Sequence, residues 1–258
     1  MVLDWLINIH RAEEHPERML FLGFFYSSVA VALALFIFPR EAGAVMLVLT
    51  VAAFMPIMLN LMKVESLRDK ESKFLVKQHW PALKLFVFMF AGMLLAYTTW
   101  FLLLPTEIGA NLFSMQLDTI TSRGVELGAV TGGGGFLSIF LNNIKVLVIG
   151  ILLALVFGAG AIFILDWNAT VLAALLGGTL KHSLDISVAR YLIHGIPEIS
   201  AYFIGGLAGG IISIGIVRHK LGTKNFSKTL MDSGELILLA VFVLLIAAIL
   251  EVWVSPLI

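Results

Sequence analysis

Long apolar runs separated by short charged breaks dominate this chain. They cover residues 19–38, 44–62, 82–104, 144–165, 169–180, 197–217 and 236–254. Most reach the roughly 20 residues that an α-helix needs to cross a hydrocarbon core. They do not alternate with the two-residue period of membrane strands, which excludes a β-barrel. Ahead of them, residues 1–18 read as an amphipathic approach helix, with Trp5, Leu6 and Ile9 apolar and charges following. Residues 39–43 form a tight break, and Pro56 is expected to kink the second span. Trp80 and Trp100 stand like interfacial anchors of the third. The pattern predicts an all-α, polytopic helical membrane bundle of about six to seven crossings.

One crossing is expected to be irregular. Asp166, Trp167 and Asn168 interrupt the apolar block, and the run 169–180 that follows covers only about 18 Å at 1.5 Å per residue. It reads as a short or broken helix completed by residues 182–193. Lysine and arginine bias then sets the orientation. The basic loops 63–84 and 218–232 are expected to be cytoplasmic, and 105–140, whose only basic residue is Arg123, to lie outside. Both assignments hold together only if the short piece crosses, which gives seven crossings and an outer C-terminus. The chain divides into 1–110, an amphipathic segment with three spans, and 111–258, a core with the broken helix, a glycine-rich span and a last span.

Composition sharpens the class. Hydrophobic residues make up 60% of the chain and charged residues 13%, against about a quarter charged in a soluble domain. This places the protein in the cell membrane as a multi-pass protein, with the lipid bilayer as its first partner. Net charge is zero, so no basic field points to nucleic acid. There is no cysteine, which removes disulfides, thiol catalysis and cysteine-ligated metal from consideration. The N-terminal stretch has no basic n-region or small-residue cleavage pattern, and the first apolar run is read as a retained span.

The most informative polar element is Ile193-His194-Gly195-Ile196-Pro197-Glu198 at the mouth of a long apolar run. Ionisable groups in a membrane are expensive and usually have a purpose or a partner. On a continuous helix His194 and Glu198 would share a face, but Pro197 removes a donor and disfavours helical geometry at Ile196. A helix starting at Pro197 is therefore expected, with Glu198 in its first turn and His194 before it. Two readings stand side by side: a helix cap with a locally bonded histidine, or a functional pocket. Steps of 3.6 residues from Glu198 reach Tyr202, Gly205 and Gly209. With Gly206 and Gly210 these small residues predict a face that another helix approaches closely. Burial there calls for a cation or donor near Glu198, and Lys145, Arg190 and His194 are the candidates. Asn142, Asn143 and Asn168 stand at helix mouths, where they cap backbone or line a polar cavity. Lys145 can snorkel to the interface. Glu251 sits at the disfavoured end of its helix dipole and needs headgroup exposure or a partner. His-x-x-x-Glu is not the metalloprotease signature, and residues 131–135 lack the closing Gly-Lys-Ser/Thr of a P-loop. Neither a metal nor another cofactor is expected.

These residues carry a resemblance. Segment 136–217 resembles the stage II sporulation protein M family through Phe140-x-Asn142-Asn143 entering an apolar helix and Asn168 opening a short segment. His194-Gly195-x-Pro197-Glu198, running into Gly205-Gly206-Leu207-Ala208-Gly209, is the specific part. The chain departs from the family pattern at Ala169 and Ala173, where members often carry glycine. The resemblance implies an all-helical bundle with an embedded polar site. The family's namesake acts as a membrane scaffold in a complex that remodels peptidoglycan during endospore formation. The first expectation is thus a non-enzymatic scaffold that recruits membrane-protein partners and forms a homo-oligomer. The alternative is a transporter or channel-like protein in which Glu198 and His194 bind a proton, cation or polar substrate. An intramembrane metal-dependent hydrolase is the third reading, with an incomplete ligand set.

Overall fold

A computed structural model describes residues 9–66, 75–129, 133–158, 160–182, 188–218 and 223–257. The start of the approach helix, the side chains of Arg123 and Arg190, and the middles of both basic loops lie outside the described residues. Every regular element described is helical. They are α1 (Ile9–Glu14), α2 (Glu17–Ile37), α3 (Ala42–Ser66), α4 (Leu75–Leu103), α5 (Thr106–Leu112), α6 (Ser114–Ala129), α7 (Gly133–Phe157), α8 (Ala161–His182), α9 (Val188–Arg218) and α10 (Lys224–Ile249). A π-helical turn, Leu250–Val254, and a 3₁₀ turn, Ser255–Leu257, close the chain. Seven of these helices are long and apolar enough to cross a membrane. The chain is an all-α helical bundle of the multi-pass membrane class.

Burial shows how the spans are arranged. In α9, 83% of the span is buried, in α8 72%, and in α7 only 22%. Helix α9 is therefore the central post, packed against α10, α7, α8 and α3, while α2 and α4 form the other tight pair. Phe36, Val48, Leu103, Val156, Val217 and Leu238 point outward, as lipid-facing side chains do when the solvent is hydrocarbon.

Two local expectations are corrected. Asp166, Trp167 and Asn168 do not interrupt a helix, because α8 runs through them without a break. Polar side chains here bond back to their own helix: Asn168 Nδ2 donates to Ile164 O at 2.7 Å, and Thr170 Oγ1 to Trp167 O at 2.8 Å. The chain turns earlier, at Gly158, whose φ of 68° is a left-handed conformation that a side chain resists. The short, broken helix is thus a full one of 22 residues. Likewise, α9 does not start at Pro197 but carries it inside. The lost backbone bond is tolerated because burial of the whole span outweighs a local propensity, as in other membrane helices. Gly158→Ala is expected to destabilise the protein by roughly 1–2 kcal/mol through the left-handed backbone alone. A melting curve in detergent checks this.

The glycines of α9 meet neighbours closely. A Cβ at Gly205 would run into Leu147 and one at Gly210 into Met62, while at Gly209 it would fall 2.9 Å from Ala154 Cβ and 3.0 Å from Ile151 O. These contacts set the register: Leu147 of α7 is level with Gly205, and Met62 near the end of α3 is level with Gly210.

Candidate functional site

Because α9 is continuous, His194 and Glu198 lie one turn apart on a single helix. Both are buried, at 4% and 5% exposure. Tyr202, one turn further, donates its hydroxyl to Glu198 Oε1 at 2.8 Å. The donor that Glu198 needs therefore comes from its own helix. The His194 ring packs near Tyr191, with ring centres 5.3 Å apart. Its Nδ1 lies 3.1 Å from Ser255 Oγ, and its Nε2 lies 4.0 Å from Glu251 Oε1. Glu251, in the π-helical turn after α10, and Ser255, which opens the 3₁₀ turn, are 5% and 2% exposed. Such turns recur where a side chain is re-aimed at a site. The partner that Glu251 required is thus an imidazole on α9.

The other sequence candidates separate. Asn143 is 1% exposed, and its Nδ2 has no acceptor. The α7–α9 register places it level with Ala201, beside the Tyr202 turn. Asn142 and Lys145 face outward from α7. Asn168 bonds within its own helix, four residues back. Gly206 and Tyr202 line a cavity of about 10 Å³ with Leu147, Gly150 and Ile164, room for about one water. Among the described residues, no group of three or more His, Cys, Asp or Glu stands together as a metal site. The metal-dependent hydrolase gains no ligand set from this.

Tyr202→Phe is expected to cost about 1–2 kcal/mol, because it removes one buried hydrogen bond to the Glu198 carboxyl group. Denaturant or thermal unfolding in detergent reads the loss.

Two further buried polar groups escaped the sequence reading. His79 Nδ1 of α4 lies 2.6 Å from Glu65 Oε1 of α3, with both residues buried. Deeper in the bundle, Tyr97 of α4 donates to Asp166 Oδ1 of α8 at 2.7 Å, and Thr50 of α3 lies 2.9 Å from the same Tyr97 oxygen. Asp166 was legible only as an interruption, although a lone carboxylate in an apolar stretch is itself a signal.

The sequence profile described as Stage II sporulation protein M matches residues 82–256. The match begins with the third span and so reaches further back than segment 136–217. An uncharacterized protein of Methanocaldococcus jannaschii is 31% identical over 126 residues, which is 47% of this chain and 71% of that protein. No solved structure matches the chain.

Proposed function

The chain belongs to the stage II sporulation protein M family, and on that premise we propose that it is a non-enzymatic membrane protein that binds small cations and passes them across the bilayer. One observation carries the reading: six ionisable side chains, Glu65, His79, Asp166, His194, Glu198 and Glu251, are buried within it. A bundle that had only to hold its helices together would be as stable with apolar residues at those places. Buried ionisable groups in membrane spans instead mark ion paths and proton relays.

Their heights differ. From His194 to Gly210 is about 24 Å along α9 at 1.5 Å per residue. Gly210 meets Met62, and Glu65 lies beyond it on α3. The Glu65–His79 pair and the His194–Glu251 group therefore stand near opposite ends of the bundle, with Asp166 between them. With the basic loops 63–84 and 218–232 in the cytoplasm, the first stands at the inner end and the second at the outer.

The scaffold reading has its own support. Glu198 and Glu65 find partners within the chain, and the cavity beside Tyr202 is closed down to about 10 Å³. One preparation separates the two. Vesicles carrying the purified protein and a trapped pH indicator are given sodium, potassium or choline gradients. A pH change specific to one cation supports cation handling. No response in any gradient, together with a stable homo-oligomer or a co-purifying membrane partner, supports the scaffold.

A further inference from the structure

Asp166 stands outside the His194–Glu198 group, and its surroundings are chemically specific. It is fully buried on α8, and uncharged oxygens of α4, α3 and α2 gather on its Oδ1 side. Tyr97 of α4 donates to Oδ1. That commits the phenolic proton, so Thr50 of α3 is left to donate to the Tyr97 oxygen. Ser27 of α2 approaches Tyr97 as well. Below, Gln116 of α6 donates to Thr170 Oγ1, one turn along α8 from Asp166. Among the described residues no lysine, arginine or histidine is paired with Asp166.

The arrangement is incomplete in one respect. Asp166 Oδ2 and Ser27 Oγ are buried without any hydrogen-bond partner, and so is Gln116 Oε1. Buried polar atoms are almost always bonded, and each exception calls for an explanation. An ionised carboxylate here would hold a full negative charge in hydrocarbon with one oxygen bare. One positive charge at Oδ2 removes both faults. A divalent ion would leave an excess charge, and a large organic cation has no space.

We propose that the Asp166 carboxyl, with Tyr97, Thr50 and Ser27, is a binding site for an exchangeable small monovalent cation, a proton or a sodium ion. A proton forms an O–H bond on Oδ2 while Tyr97 continues to donate to Oδ1. A sodium ion takes the place of that proton on Oδ2. The site rests on the cation-handling reading and adds a station midway between the two ends of the bundle.

Infrared difference spectroscopy of the purified full chain tests it without a flux measurement. Spectra are recorded from acid to alkaline pH, in sodium chloride and in choline chloride, for wild type and for Asp166→Asn, whose amide oxygen still accepts from Tyr97. The expected result is a carboxylic-acid carbonyl band that fades as pH rises and is missing in Asp166→Asn. If sodium lowers that band at fixed pH and choline does not, both ions share the site. If the salts act alike, the site is for the proton alone. Wild-type and Asp166→Asn spectra that match at every pH and in both salts overturn the proposal. Should Asp166→Asn fail to fold, Tyr97→Phe replaces it, because removing the donor on Oδ1 must shift the same band. An unshifted band overturns the assignment equally. Vesicles without flux but with a titrating Asp166 band would remove the transport reading and keep the site. Flux with a silent band would do the reverse.

Discussion

Replacing Glu198 by glutamine is expected to bring cation flux in reconstituted vesicles down to the protein-free background while the bundle stays folded. Glutamine matches glutamate in shape, and its carbonyl oxygen can still accept the Tyr202 hydroxyl that lies 2.8 Å from the carboxylate. What disappears is the charge, and with it the capacity to take up and release a cation. The side chain is only 5% exposed, so bulk solvent does not substitute for the lost group. Stability is expected to stay within about 1 kcal/mol of wild type, since no cavity or clash is introduced. Paired flux and melting measurements check this. Wild-type flux in Glu198→Gln would remove Glu198 from the pathway, and a melted variant would turn the test to Glu251→Gln.

The second large effect concerns the scaffold that holds the site. Helices α2 and α4 cross with their backbones nearly in contact. A Cβ at Gly23 would fall 3.1 Å from Gly92 Cα and 3.1 Å from Met93 N. One at Gly92 would fall 2.9 Å from the Leu20 carbonyl carbon and 2.9 Å from Phe24 N. These are main-chain atoms, which cannot rotate away as a side chain can. Gly92→Leu must therefore drive the two helices apart and open the packing of Met19, Leu22, Met89 and Met93, all buried at present. Small-residue crossings of this kind stand in for the hydrophobic effect that lipid cannot supply between helices. The expected loss is about 3 kcal/mol or more, the upper end for overpacking, with an aggregated or unfolded product. Gly234→Ala serves as the control. Nothing lies within 4 Å of a Cβ there, and a change within about 0.5 kcal/mol is expected. Size-exclusion profiles and melting curves in one detergent compare the two.

How much of this was readable from the sequence depends on the range of the interaction involved. Span number and class follow from run length and hydropathy, which are local, and seven apolar runs match seven helices of spanning length in number, although 144–165 straddles α7 and α8. The break was misplaced for a physical reason. Polarity at 166–168 reads as an interruption, whereas the helix runs on and Asp166 Oδ1 accepts from Tyr97, 69 positions earlier in the chain. The real turn at Gly158 hid inside an apolar run because a left-handed glycine leaves no trace in hydropathy. The local preference of Pro197 predicts a helix start there, and the burial of α9 overrides it. His194 and Glu198 were visible as costly residues, and Glu251 as one in want of a partner. That the partner of Glu251 is His194 required the π-helical turn, which no pattern announces. The Gly23–Gly92 crossing was equally silent, since each glycine is isolated in sequence and matters only against the other.

Buried ionisable groups at different heights are proposed to carry a cation across the bilayer. Proton entry driven by an imposed membrane potential tests it most directly, in sealed vesicles holding the purified wild-type protein beside protein-free vesicles of the same lipid. Entry that rises with protein density and disappears in Glu198→Gln is the predicted result. Vesicles with folded protein that remain as tight to protons, sodium and potassium as protein-free ones would contradict it.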